Sequence, residues 1–153
     1  MVNLELKIVP PFQVLILGIT MWLTHRFIPL MHYHTGHEYV VSRWILWFCL
    51  GVFLITLFQF WQHQTTVNPR KLDQTQALIT NGVFAISRNP IYIVDVLLLV
   101  AWAVWLGNWL NLIWPVVFIL YVTRFQIKPE ERVLLEKFGT TYEQYKQKTR
   151  RWV

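Results

Sequence analysis

The chain has 153 residues, 55% of them hydrophobic and only 14% charged, against about 25% charged in an ordinary soluble domain, so a water-facing surface of normal polarity is excluded. Aromatic residues at 16%, nine of them Trp, exclude a disordered chain, and a single Cys excludes a disulfide framework or a Cys-rich zinc site. The 14 Lys and Arg against 8 Asp and Glu leave +6, whose meaning depends on where those charges lie.

In chain order, the first apolar stretch covers residues 12–30, with His25 and Arg26 near its end. No small-residue cleavage site follows it, so a retained helix is expected rather than a signal peptide. Residues 44–62 are a second charge-free stretch of spanning length. The connector at 63–89 is long for a membrane loop, and long connectors in compact domains are usually functional or disordered. Order signals favour function: Asn68-Pro69 marks a turn, residues 76–79 suit a short helix or an extended piece, and Asn81-Gly82 is a tight-turn pair.

Residues 96–123 carry no charged side chain, and a spanning helix needs only about 20 residues. Gly107-Asn108 breaks that run, which predicts antiparallel spans at 90–106 and 109–127 joined by a two-residue turn. Asn89 is placed to cap the third span, with Pro90 at its first helical position. Residues 129–150 read as amphipathic helices, with Gly139 as a stop and Thr141 with Gln144 as a capping box.

Four apolar spans leave no polar shell to bury one another, and backbone groups in lipid are satisfied within helices. The fold class is therefore all-α integral membrane: four transmembrane helices, with C-terminal amphipathic helices folding back over one end as a lid. Lys7, Arg70, Lys71, Arg88 and the basic residues of 128–151 fall on one side, and only Arg26 and Arg43 on the other. Both termini are thus expected to be cytoplasmic, the membrane being the inner one if the source is a bacterium. Trp102, Trp105, Trp109 and Trp114 read as an aromatic belt at the outer turn. Nucleic acid is excluded as a partner because no basic stripe interleaves with exposed aromatics. A homodimer is compatible with so small a bundle.

Charges inside or beside the spans are functional-site candidates by default. Asp95 and Arg124 are two such residues, suited to an ion pair or a shared cavity; Arg88 stands seven residues before Asp95. Free amides at the helix start beside Arg88 suit an anionic group. His32-x-His34-x-x-His37 has ligand-like spacing, but without Cys and with only Glu38 nearby no metal site is expected.

Residues 80–92, Thr-Asn-Gly-Val-Phe-Ala-Ile-Ser-Arg-Asn-Pro-Ile-Tyr, resemble the motif T-x-G-x-[YF]-x-x-x-R-H-P-x-Y of the isoprenylcysteine carboxyl methyltransferase and phospholipid methyltransferase superfamily. Residues 130–145, beginning Glu-Glu-Arg-Val-Leu and ending Tyr-Glu-Gln-Tyr, look like that superfamily's second block. The resemblance covers residues 65–153, and Asn89 stands where the motif has His. It implies transfer of a methyl group from S-adenosylmethionine to a lipophilic or lipid acceptor at the cytoplasmic face. It implies that Gly82, Phe84, Arg88, Asn89, Pro90, Tyr92, Glu130, Glu131, Tyr142 and Tyr145 bind the cofactor; Asn89 and Glu130, together with Arg124 from its charge near the end of the fourth span, are the candidates for the chemistry. Two other readings remain: a membrane reductase of the sterol-reductase type using NADPH, and a non-enzymatic membrane binding protein.

Overall fold

The computed structural model describes residues 9–28, 31–63 and 77–153. Lys7, Arg70 and Lys71, on which much of the orientation argument rests, lie outside the described residues, as do the Asn68-Pro69 turn and Gln76. The elements are α1 (Pro10–Phe27), α2 (Glu38–Gln62), α3 (Val83–Ile86), α4 (Pro90–Leu106), a 3-10 turn (Trp109–Leu112), α5 (Ile113–Val122), a π-helical turn (Thr123–Ile127) and α6 (Lys128–Lys148). No strand occurs among the described residues, so the all-α expectation holds.

Several boundaries move. Helix α2 begins six residues before the apolar stretch that predicts it, with Glu38 in its first turn. Residues 77–80 are irregular rather than helical. The largest change is at the C-terminal end. No break separates the fourth span from the first C-terminal helix, and the helical path runs from Trp109 to Lys148, 40 residues, interrupted only by a kink at Gly139. Pro129 sits in the first turn of α6, where its missing N–H breaks no hydrogen bond. Gly139 leaves helical geometry, at φ 49° and ψ −125°, and divides α6 into two helical pieces, as its reading as a stop predicts.

Two helical segments are long and apolar enough to cross a bilayer: α2 and the Trp109–Lys148 path. Burial decides what that means. Only 17% of the most apolar window of α2 is covered by the rest of the chain, and Trp44, Trp47, Phe48 and Trp61 all point outward. Soluble monomers rarely expose apolar patches beyond a few hundred Å², so this surface belongs in lipid and the chain is a membrane protein. Helix α4, with 17 residues, is about 26 Å long, somewhat short of the ~30 Å hydrocarbon core.

Helix α4 is the centre of the bundle, packed against α2, α1 and α5. One core gathers Met21, Leu99, Ala103, Phe118, Val122 and Ile127, with Tyr92 at its upper edge. Lipid tails are as apolar as these side chains, so this core is held by close packing rather than by escape from water. A second core joins the end of α2 to α3 and α6: Ile79, Phe84, Tyr142 and Tyr145, flanked by Phe60, Leu134, Leu135 and Phe138.

The two-residue turn between α4 and the next helical segment is present and pinned. Gly107 is left-handed, at φ 60°. Its carbonyl accepts from the Tyr33 amide at 2.9 Å. The fully buried Asn108 accepts from the Leu110 amide at 2.9 Å and donates to the Ile28 carbonyl at 3.3 Å. A Cβ at position 107 would sit 2.8 Å from the Tyr33 carbonyl oxygen. Gly107→Ala should therefore cost about 2 kcal/mol of stability, combining a positive-φ penalty with the clash, read as a lower unfolding midpoint in detergent.

The aromatic belt is only half as expected. Trp105 and Trp109 are exposed, but Trp102 and Trp114 pack into the bundle core, and the Trp102 Nε1–H donates to the Gly18 carbonyl at 3.1 Å. The His25 and His32 rings stack at 4.6 Å. Among the described residues no three His, Cys, Asp or Glu side chains come together in a way that would hold a metal ion.

Candidate functional site

The first motif block is shaped at its start by Asn81-Gly82. Gly82 takes φ 56° and ψ −128°, and the reason is Gln59 on α2. The Gln59 Nε2 donates to the Asn81 carbonyl at 3.1 Å, and its Oε1 accepts from the Val83 amide at 3.2 Å. Gln59 thus satisfies the opening amide of α3 from another helix, a place where capping would ordinarily be local. Helix α3 then turns Phe84 into the second core, and the Phe84 carbonyl accepts from the Tyr145 hydroxyl at 2.6 Å. That bond ties the first block to the end of the second.

After α3 the chain extends through Ser87, Arg88 and Asn89, and the C-terminal residues run alongside. The Arg88 amide donates to the Arg150 carbonyl at 3.0 Å. The Ser87 hydroxyl and the Asn89 Nδ2 both donate to the Arg151 carbonyl, at 3.2 and 2.8 Å. The Thr149 hydroxyl donates to the Ala85 carbonyl at 3.4 Å. Trp152 packs against the bundle core. Asn89 does occupy the N-cap position of α4, but its side chain makes no cap bond to that helix. It holds the C-terminal strap instead, and Pro90 opens the helix as expected.

The charged centre is Glu131. Its Oε1 lies 3.1 Å from the Arg88 Nη1 and accepts from the Arg151 Nε at 3.0 Å; its Oε2 accepts from the Arg151 Nη2 at 2.7 Å. The Arg151 fork is bidentate, the strongest carboxylate geometry. The side chains of Arg88 and Glu131 are only 9% and 12% exposed, so this is an enclosed arrangement rather than a surface pair. The Arg88 Nη1 also reaches the Tyr142 hydroxyl at 3.5 Å, while its Nε is buried with no partner. Burial, with the Glu131 charge adding and Arg88 opposing, pushes the Tyr142 hydroxyl up to about 12. Tyr142 therefore stays neutral, as a donor.

Beside this centre, the Tyr92 hydroxyl donates to the Glu130 Oε1 at 2.5 Å. Burial is the main influence on the Glu130 carboxyl and raises it to about 7; the bond from Tyr92 works against that shift and the Glu131 charge adds to it. The two adjacent glutamates thus differ in kind. One is neutralised by two guanidiniums, while the other can gain or lose a proton near neutrality.

The structure brings together Gly82, Phe84, Arg88, Asn89, Pro90, Tyr92, Glu130, Glu131, Tyr142 and Tyr145 around the N-terminal end of α4. Arg124 stands apart in the π-helical turn, exposed, with its guanidinium 5.8 Å from the Phe125 ring. Arg88 and Asp95 do not share a helix face, because α4 begins after Arg88. Asp95 is buried within α4, and its Oδ2 has no hydrogen-bond partner.

Sequence reasoning missed Gln59, Ser87, Thr149 and Arg151. A glutamine inside an apolar stretch was a signal for the first. The basic residues of 128–151, read only for the side of the membrane they mark, concealed the last.

The comparisons bear on this geometry directly. A family model described as "Phospholipid methyltransferase" matches residues 41–141, more than half of the chain. An "Uncharacterized protein" of Haemophilus influenzae is 48% identical over 62 residues, covering 40% of this chain and 98% of that relative. No solved structure matches the chain.

Proposed function

The chain belongs to the phospholipid methyltransferase family, and from that premise we propose that it uses S-adenosylmethionine to methylate a lipophilic or membrane-associated acceptor at the cytoplasmic face, in the manner of the isoprenylcysteine carboxyl methyltransferases. The supporting observation is that both motif blocks converge on one glutamate pair, Glu131 with Arg88 and Glu130 with Tyr92. In this reading α1, α2, α4 and the Trp109–Ile127 segment are four spans, the loop at 63–89 and both termini face the cytoplasm, and α6 with the C-terminal strap forms a lid over the cofactor.

The residues suit that cofactor chemically. A guanidinium nitrogen buried without a partner, the Arg88 Nε, is a donor in want of an acceptor such as the cofactor carboxylate. Glu131 faces cations and suits an ammonium or a ribose hydroxyl. The Tyr142 and Tyr145 rings, 6.2 Å apart, offer flat surfaces for an adenine and a face for a cation. Gly82, Phe84, Pro90 and Asn89 shape the wall, the last by holding the strap. When bound, the cofactor supplies a methyl group on a cationic sulfur. Positioning is then the main requirement, worth up to about 7–11 kcal/mol in well-oriented systems. Glu130 is the proton acceptor for the acceptor group, held in place by Tyr92. Asn89 positions the neighbouring backbone, and Arg124, at the lipid boundary, orients an anionic head group.

The test has two parts. S-adenosylhomocysteine should raise the unfolding midpoint of the purified protein in detergent and NADPH should not; the reverse pattern would establish the reductase reading instead. Glu130→Gln should abolish most methyl transfer and also change the pH dependence of stability. A carboxyl whose value rises from 4.5 to about 7 on folding binds its proton more tightly in the folded state. Stability therefore falls as pH rises through that window, and the loss is complete above it. The wild type should lose stability relative to Glu130→Gln between those pH values, and a parallel pair of curves would remove Glu130 from the role of buried, titrating acid.

A further inference from the structure

Two guanidiniums share the Glu131 carboxylate, and its acceptor capacity is nearly used. A carboxylate offers about four lone-pair positions. Oε1 takes the Arg88 Nη1 and the Arg151 Nε, and Oε2 takes the Arg151 Nη2. With the Glu131 side chain 12% exposed, a further cation reaches it only by taking the place of one already there.

The two arginines are not equally replaceable. Arg88 is enclosed, and moving it from Glu131 would strand a buried charge. Arg151 is 34% exposed, so its guanidinium regains water as it leaves. Its main chain is held independently of that side chain. Ser87 and Asn89 donate to its carbonyl, the Arg88 amide donates to the Arg150 carbonyl, and Trp152 packs against the bundle core on its other side. The Arg151 side chain can therefore swing out while the strap stays closed. Charge says what takes its place. One carboxylate and two guanidiniums sum to +1. A cation arriving as Arg151 departs keeps that sum beside the buried Arg88, and an ammonium, with three donors, satisfies the vacated oxygens. A neutral group in the same position would forfeit the ion pair without replacing it.

From this we propose that Arg151 is a gate: it occupies the cation position on Glu131 as an internal stand-in and yields it to the ammonium at the amino-acid end of S-adenosylmethionine. The gate rests on the methyl-transfer reading for the identity of the incoming cation. Its consequence is the reverse of what so close a contact suggests. The apparent affinity of a ligand falls in proportion to the fraction of protein competent to receive it, so Arg151 holds cofactor binding back, and its removal strengthens it. The effect is confined to ligands that carry the ammonium. Residue 151 lies outside the family match at 41–141.

The experiment titrates the full chain in detergent, by calorimetry, with S-adenosylhomocysteine and with its deaminated analogue, which lacks only the ammonium. Arg151→Gln should bind S-adenosylhomocysteine about tenfold more tightly than the wild type, equivalent to ~1.4 kcal/mol, and the deaminated analogue no more tightly. Arg151→Lys, which keeps the charge but not the fork, should fall between them. An equal gain for both ligands makes Arg151 a steric obstacle and overturns the cation assignment. Unchanged or weaker binding of S-adenosylhomocysteine to Arg151→Gln overturns the gate and leaves the methyl-transfer reading standing. No binding to the wild type or to either variant defeats both. A measurement on the wild type decides the matter even if Arg151→Gln does not fold. The Arg151 Nε–H, followed by nitrogen-15 NMR and assigned by its absence from Arg151→Lys, should be protected from solvent exchange in the ligand-free protein and lose that protection when S-adenosylhomocysteine binds. Protection that persists in the complex overturns the gate.

Discussion

Glu131→Gln should destabilise the protein by about 3 kcal/mol and abolish cofactor binding. The argument follows from what is left behind. In the native arrangement one carboxylate serves two guanidiniums, and Arg88 is 9% exposed. Removing the negative charge leaves that arginine buried and uncompensated, which in other proteins costs 3–5 kcal/mol. A glutamine still accepts one hydrogen bond, and Arg151, at 34% exposure, can turn towards solvent, so the lower end of that range applies. The check is the unfolding midpoint in detergent together with calorimetric titration of S-adenosylhomocysteine. A second variant separates charge from shape. Adding Arg88→Met to Glu131→Gln removes the stranded cation and should recover part of the lost stability. A double loss equal to the sum of the single losses would mean the two residues do not interact energetically.

Gly82→Ala should be the most damaging of the small substitutions, at about 3 kcal/mol. A Cβ at that position would lie 2.0 Å from the Gln59 Nε2 and 2.7 Å from its Cδ. The backbone at φ 56° and ψ −128° is also one that a non-glycine residue enters only at a cost of about 1–3 kcal/mol. Gln59 can move, but only by releasing the Asn81 carbonyl and the Val83 amide together. The first motif block would then lose its anchor on α2, so Gly82→Ala should weaken binding of S-adenosylhomocysteine by more than tenfold, whereas Gly51→Ala, where a Cβ meets nothing within 4 Å, should leave it unchanged. Trimming the obstacle, as in Gly82→Ala with Gln59→Ala, should not restore binding, because the steric relief comes with loss of the same two hydrogen bonds.

How much of this was legible in the sequence depends on the range of the interaction. The helices were legible because their apolar runs and their punctuation are local: Pro90 opens α4 and Gly107 closes it. The two motif blocks were legible as strings, and their convergence at the start of α4 gives those strings a geometry. What could not be read was which polar atom answers which. Gln59 reaches a turn more than twenty positions later, and Arg151 reaches Glu131 from inside a run of basic residues that looks like tail charge. Neither pairing leaves a periodic trace. The continuity of α5 into α6 was hidden for another reason. Pro129 and the acidic pair read as a fresh helix start, yet proline in the first turn of a helix is also tolerated when the preceding turn supplies no hydrogen bond that it would break.

The π-helical turn Thr123–Ile127 acts as an indexing device for everything beyond it. A π turn accommodates one residue more than an α turn, and each α-helical residue advances the side-chain direction by about 100°. Were the same five residues plain α-helix, α6 would be out of phase by one position. Glu130 would then point where Glu131 points now, towards Arg88, and Tyr92 would face Pro129 with no carboxylate to bind. The wide turn therefore decides which of two chemically identical side chains becomes the neutralised anchor and which becomes the titrating acid. A deletion of one residue within it, if the turn becomes plain α-helix, would preserve that assignment, and a shift of one position would leave either Arg88 or Tyr92 without its glutamate.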